Sequence, residues 1–293
     1  MRIFAIATEP LPSTRGAVCT FTDVTELTRS ATLKADFAAN ASHELRTPIT
    51  SINAAIETLQ GPAKDDPVMS EKLIGMIANN ADRLDMMVRD LLDLSKLESP
   101  EIPTTIETLD LINHIESVFS QFEQVCQRKN LKMEIQNKSS LQMIRTDPSL
   151  LELILRNLIQ NATKFANEDS AILVRIEPMQ IAIDPQNPPP KEIDCEMGLR
   201  IRVRDRGIGI PIAHQARVFE RFYQVDDSRT GSSAIRGTGL GLAIVKHAAR
   251  TLGASVHIES VHHEGTTVLI DLPKCVPMDD ADRPKPPDSA EEP

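Results

Sequence analysis

The 293-residue sequence has no tryptophan, one tyrosine (Tyr223) and eight phenylalanines. So thin an aromatic complement argues against the stacking platforms that grip single-stranded nucleic acid. Basic residues are in deficit too, 32 Lys and Arg against 42 Asp and Glu, for a formal net charge of −10. That balance leaves no basic patch for a nucleic-acid partner. Cysteine is scarce: Cys19, Cys126, Cys195 and Cys275 lie far apart and form no CxxC pair. A disulfide framework or zinc site is therefore not expected, and a reducing cytoplasm fits. No apolar run approaches the roughly 18 residues of a membrane span, and no signal peptide follows Met1, so no membrane segment is expected.

Proline, by contrast, is abundant and clustered. Half of the 20 prolines fall in 178–190 and 276–293. The second stretch is acidic and poor in apolar residues, and reads as a disordered tail. The first lies between two strand-like runs, Ala171–Ile176 and Leu199–Val203, and reads as a long hairpin insertion. Apolar residues at 33, 37, 41, 45, 49, 52, 56 and 59 trace one stripe of a helix. Gly61, Pro62 and Pro67 then break the chain, and a second stripe runs from Leu73 to Leu94. Such a hairpin cannot bury both apolar faces alone, so pairing of two copies into a four-helix bundle, hence a homodimer, is expected. Residues 104–275 mix helix and strand. Asp147-Pro148 caps a helix to about Ala166, strands are expected near 131–135, 171–176, 199–204, 254–260 and 266–272, and a helix at 240–252. The fold class is α+β: a helical hairpin, then a two-layer α/β sandwich.

Four constellations carry chemistry. His43 sits two residues from Leu45 of the stripe, about 200° around the helix, and so faces solvent. Its neighbour Glu44 offers a carboxylate to hold the proton of one ring nitrogen, which makes the other nucleophilic. Thr47 lies one turn on, and Pro48 predicts a bend. An ordinary exposed histidine is the plainer alternative. Next, Asn157, Asn161 and Lys164 recur at i, i+4 and i+7 on the 148–166 helix. Two amides and an ammonium in line suit a polyphosphate, and a neutral Asn oxygen can hold Mg²⁺; a polar solvent face is the alternative. Third comes Asp205-Arg206-Gly207-Ile208-Gly209 after a strand. A carboxylate there can accept from the amine of adenine, while the glycines admit close approach. A plain glycine turn also fits. Last, Gly237-Thr238-Gly239-Leu240-Gly241 opens an amphipathic helix and presents backbone N–H groups to phosphates. It is not a dinucleotide fingerprint, because its third glycine is one residue early and no strand precedes it. Residues Gln224 to Arg236 read as a mobile lid, with Phe219 and Phe222 as its core anchors.

The order of these segments resembles that of a bacterial sensor histidine kinase of two-component signalling. Ser42 to Pro48 resembles the H box, Asn157 to Phe165 the N box and Asp205 to Gly209 the G1 box. Phe219 to Phe222 resembles the F box, and Gly237 to Leu242 the G2 box. The resemblance implies four regions: the end of a truncated PAS sensor domain and linker at 1–31, a dimerisation and phosphoacceptor hairpin at 32–99, an ATP-binding domain of the gyrase/Hsp90/kinase/MutL type at 104–275, and the tail at 276–293. It implies that His43 is the phosphoacceptor, Glu44 its base, and Thr47 the residue that orients water for dephosphorylation of a partner. It also implies ATP and Mg²⁺ as cofactors. Asn161 would hold the metal, Asn157 and Lys164 would lie near the phosphates, and Asp205 would bind adenine. Phe165, Gly207, Gly209, Gly237, Thr238, Gly239, Leu240 and Gly241 would line the nucleotide. The implied partner is the receiver domain of a response regulator, which takes the phosphoryl group on an aspartate. Three features depart from the family pattern: Phe165 stands where tyrosine is common, the Pro-rich 177–198 segment is long, and the sensor is truncated. Rival readings are an ATPase switch without phosphohistidine, a non-catalytic dimeric scaffold, and a kinase fold acting mainly as a phosphatase through Thr47.

Overall fold

In the computed structural model, which describes residues 2–10, 17–61, 63–99, 104–139, 141–180, 197–225 and 237–272, the two apolar stripes form the two longest helices. Contacts divide the chain into two units, Met1–Met87 and Val88–Pro293. In the first, β1 (Phe4–Pro10) and β2 (Ala17–Asp23) pair antiparallel, Phe4 opposite Asp23. The pair leads into α1 (Thr25–Gln60) through Thr25, whose hydroxyl donates to Asp23 Oδ1 at 2.5 Å and accepts from Ile3 N at 2.8 Å. The helix thus starts eight residues before the stripe does, because a polar turn held by tertiary hydrogen bonds carries no periodic signal. It runs on through Pro48, which is buried.

Pro67 does not break the chain. It is the first residue of α2 (Pro67–Leu97), where its missing N–H costs nothing, and Asp66 accepts from the N–H groups of Val68 and Met69 at 3.0 Å. The hairpin end is closed by a small core of Ala55, Ala63 and Leu73, with Leu59 and Ile77 packed against it. Ile49 and Ile56 of the α1 stripe remain exposed, as do Ile74 and Met76 of α2, so these apolar side chains find no cover within this unit.

The second unit begins with the last turns of α2. Short strands β3 (Glu107–Asp110) and β5 (Met143–Thr146) pair antiparallel beside the main sheet. Asp110 caps α3 (Leu111–Ser120), accepting from Ile112 and Asn113 N–H at 3.0 Å, and α4 (Glu123–Lys129) ends on left-handed Asn130. The main sheet has five strands in the order β4-β6-β7-β9-β8. These are β4 (Lys132–Asn137), β6 (Ala171–Gln180), β7 (Met197–Arg204), β8 (Ser255–Val261) and β9 (Gly265–Leu272). Only β4 and β6 run parallel. Alternation puts Ile172, Val174, Ile176, Ile201, Val203 and Ile270 on one face, all buried. The helices α5 (Pro148–Phe165) and α7 (Gly241–Thr251), the latter preceded in the chain by the one-turn α6 (Ile212–Gln215), supply Leu151, Ile154, Leu155, Leu158, Ile244 and Ala248 to the same core. Each such large aliphatic side chain contributes about 1.5–3 kcal/mol by leaving water.

The fold is therefore α+β, with a two-layer sandwich after a helical region. The 177–198 insertion is shorter than the sequence implied. Strand β6 continues to Gln180 and β7 starts at Met197, in register. Pairing with β4 ends at Ile176, so Pro178 sits where β6 has become an edge on that side, a position that tolerates its missing N–H. Residues 181–196, the 276–293 tail and most of the expected lid (226–236) lie outside the described residues. Among the described residues no helix is long and apolar enough to cross a membrane.

Candidate functional site

On α1 the side chain of His43 is 77% exposed, while its neighbour Glu44 turns toward α2. Glu44 Oε1 lies 3.9 Å from His43 Nδ1, longer than a hydrogen bond, and Oε2 lies 3.4 Å from Arg83 Nη2. The carboxylate is thus next to the ring but held from the other helix, a division the sequence did not suggest. Thr47 donates its hydroxyl to the His43 carbonyl at 3.4 Å, one turn back along the helix.

The second unit gathers the other candidates at the C-terminal half of α5. Asp147 caps this helix by accepting from Leu150 N at 3.1 Å, with Pro148 at its first position. Asn157 is buried, which rules out a simple solvent face, and its Nδ2 donates to the Leu153 carbonyl at 2.8 Å. Its Oδ1 points at the glycine segment: a Cβ built on Gly241 would stand 3.0 Å from it and 3.7 Å from Asn161 Nδ2. A Cβ on Gly237 would meet Lys164 Nζ at 2.8 Å. The asparagines, the lysine and the glycines therefore share one cradle. Lys164 also lies over the Phe165 ring, 5.1 Å from its centre.

Asp205 follows β7 and reaches this cradle through the end of α5. Ile208 N donates to the Phe165 carbonyl at 3.3 Å and Asn167 N to the Arg206 carbonyl at 2.9 Å. A Cβ on Gly207 would stand 2.1 Å from the Phe165 carbonyl oxygen, so no side chain fits there. Gly209 has φ 64° and would meet the Val261 carbonyl oxygen at 2.1 Å, a position that demands glycine twice over. The Asp205 carboxyl is buried and pushed up to about 6 by loss of solvent, while N–H bonds from Thr266 and Gly207 and the nearby Arg204 pull the other way.

Across the cradle, Thr238 donates to Asp90 Oδ2 at 2.6 Å and accepts from Leu240 N at 3.2 Å. Burial raises the Asp90 carboxyl above the usual carboxylate range. Leu240 is buried, and a Cβ on Gly239, at φ 72°, would stand 2.7 Å from the backbone of Phe222. Gln224 Nε2 donates to the Gly237 carbonyl at 2.9 Å, joining the two ends of the expected lid segment.

The sequence does not announce Arg83, Asp90 or Thr266, and offers Gln224 only as the first residue of the lid segment. All four act through partners distant in the chain; only Thr266 carried a local signal, the Gly265-Thr266 strand start after a turn.

The cradle offers amide, ammonium and backbone N–H groups. Among the described residues no three His, Cys, Asp or Glu side chains converge on a metal position. Asn161, whose side chain makes no hydrogen bond among the described residues, can give a neutral oxygen, with phosphate oxygens and water completing the shell.

Two protein families match this chain. Residues 33–100 match the family described as "His Kinase A (phospho-acceptor) domain". Residues 146–275 match "Histidine kinase-, DNA gyrase B-, and HSP90-like ATPase". "Sensor protein kinase WalK" of Staphylococcus aureus is 32% identical over 267 residues, covering 91% of this chain and 60% of that protein. In strain JH9 the same identity covers 41% of the relative. The chain thus spans less than two thirds of these relatives. Among solved structures, histidine kinase ThkA in complex with response regulator protein TrrA aligns with TM-score 0.64 at 22% identity, over 92% of this chain and 74% of that one. Histidine kinase AdeS of Acinetobacter baumannii aligns with TM-score 0.57 at 23% identity, over 79% of this chain and 97% of that one. At these identities the likeness concerns the fold.

Proposed function

Because the chain belongs to the sensor histidine kinase family, we propose that it transfers the γ-phosphoryl group of Mg-ATP to its own His43 and then to an aspartate of a response regulator. The observation that carries the reading is the convergence of Asn157, Asn161 and Lys164 on Gly237 and Gly241, in a chain that also exposes His43 beside Glu44. Asp205 accepts from the adenine amine; guanine presents a carbonyl there and is repelled. Phe165, Gly207 and Gly209 shape the base side. Lys164 and the N–H groups of Gly237, Thr238, Gly239, Leu240 and Gly241 face the phosphates, with the start of α7 behind them. Asn161 would hold Mg²⁺, with Asn157 one turn before it on α5, and the ion would supply neutralisation of phosphate charge for the transfer.

His43 Nδ1 is the nitrogen nearest Glu44, so Nε2 attacks. The Nε2–P bond forms, the bond from phosphorus to the ADP oxygen breaks, and Glu44 takes the Nδ1 proton. Thr47, one turn from His43, orients water when the regulator's phosphoryl group is removed. The hairpin (32–99) pairs with a second copy through its exposed apolar residues, and residues 104–275 bind ATP. ATP as phosphoryl donor places the reaction in the cytoplasm. Mass spectrometry after incubation with Mg-ATP tests the reading: phosphate on the 43-containing peptide supports it, whereas ATP turnover or binding with unmodified protein favours the ATPase or scaffold alternatives.

A further inference from the structure

Resting on that reading, we infer that Arg83 is a positioning residue for Glu44, holding the carboxylate so that one oxygen stays available to His43. Arg83 projects from α2 across the hairpin, and its side chain is only 20% exposed. A charged group so far removed from water at a helix seam costs stability unless its donors are satisfied. Among the described residues they are not all satisfied: Nη2 reaches Glu44 Oε2 at 3.4 Å, while Nε is buried with no hydrogen-bond partner there. Arginine–carboxylate pairs frequently close a fork on both oxygens. This one takes a single oxygen and leaves Oε1 facing His43 Nδ1, 3.9 Å away. With Oε2 anchored, a small rotation of the carboxylate brings Oε1 into hydrogen-bond range of the ring. Without the anchor, Glu44 is an ordinary flexible side chain on a helix surface. The planar guanidinium suits this role because it fixes the direction of the carboxylate as well as its distance.

The test is a double-mutant cycle in the full chain, following the rate of His43 labelling from Mg-ATP. Arg83→Gln lowers the maximal rate about tenfold or more, as loss of a well-placed base does, and leaves the KM for ATP within about twofold. Arg83→Lys restores part of the rate. In a Glu44→Gln background, Arg83→Gln has no further effect, because the group it positions is gone. Equal losses in both backgrounds, or a wild-type rate in Arg83→Gln, overturn the assignment. A second readout is independent of activity: the ¹⁵N shifts of the His43 ring report which nitrogen carries the proton. Arg83→Gln and Glu44→Gln should both move the ring away from the Nδ1–H tautomer, and an unchanged tautomer in Arg83→Gln overturns the proposal. Absence of labelling in the wild type refutes the kinase reading instead, and the ring shifts still decide the Arg83 question.

Discussion

Asp205 makes the strongest quantitative prediction. Burial lifts its carboxyl from 3.8 in the unfolded chain to about 6 in the folded one. A lift of that size corresponds to about 3 kcal/mol. The sign follows from linkage: the folded state favours the protonated form, so the contribution to stability is full below the unfolded value and lost as pH rises through about 6. At pH 7.5 the carboxylate is ionised and the fold bears the cost of burying it. Asp205→Asn removes that cost but weakens the hydrogen bonds from Thr266 and Gly207, by about 1–1.5 kcal/mol. The net expectation is a variant about 1–2 kcal/mol more stable at pH 7.5, a rise in Tm of a few degrees, with the gap closing near pH 5. Nucleotide affinity moves the opposite way. The variant binds ADP about tenfold or more weakly at pH 7.5, since a charge-assisted acceptor is lost. Wild-type affinity falls about tenfold between pH 7.5 and 5 relative to the variant, in which the titration of the nucleotide itself is the same. Calorimetric melting and ADP titration across that range measure both quantities. A variant no more stable at pH 7.5, together with parallel pH profiles for binding, would rule out a carboxyl raised by burial at Asp205.

Two further substitutions test the cradle. Thr238→Val leaves the half-buried Asp90 carboxylate without its Thr238 donor and Leu240 N without its side-chain acceptor, and should cost about 1–3 kcal/mol in urea unfolding, whereas a wild-type midpoint would show the contact to be idle. Gly207→Ala puts a methyl group against the Phe165 carbonyl oxygen and should cost about 1–3 kcal/mol while displacing Asp205 and abolishing ADP binding; an alanine variant that binds normally would contradict the close crossing of α5 and the Asp205 loop.

Most of the architecture was legible because its signals are local. The apolar stripe of α1, the Asp147-Pro148 start of α5 and the alternation in β6 and β7 each repeat at the period of their element. What escaped was short or long-range. Strands β3 and β5 have four residues each, too few to show alternation, and α3 went unremarked although Asp110 signals its start. The eight extra residues of α1 depend on Thr25 contacting Ile3 and Asp23. The expected site residues carried their chemistry on their faces: glycines, asparagines, an exposed histidine. Their supports did not. Arg83 lies 39 residues from Glu44, and Thr266 lies 61 from Asp205, distances over which one sequence gives no register. The partition of Glu44 between His43 and Arg83 is likewise a property of two helices side by side, invisible in either alone.

The central claim is that His43 carries the phosphoryl group. Incubation with γ-labelled Mg-ATP, comparing wild type with His43→Gln and following the label through acid and alkali, tests it most directly. Wild type should carry label that is labile in acid, stable in alkali and absent from the variant, while the variant still binds ATP. Label that persists in His43→Gln, or wild-type label that survives acid, would contradict it.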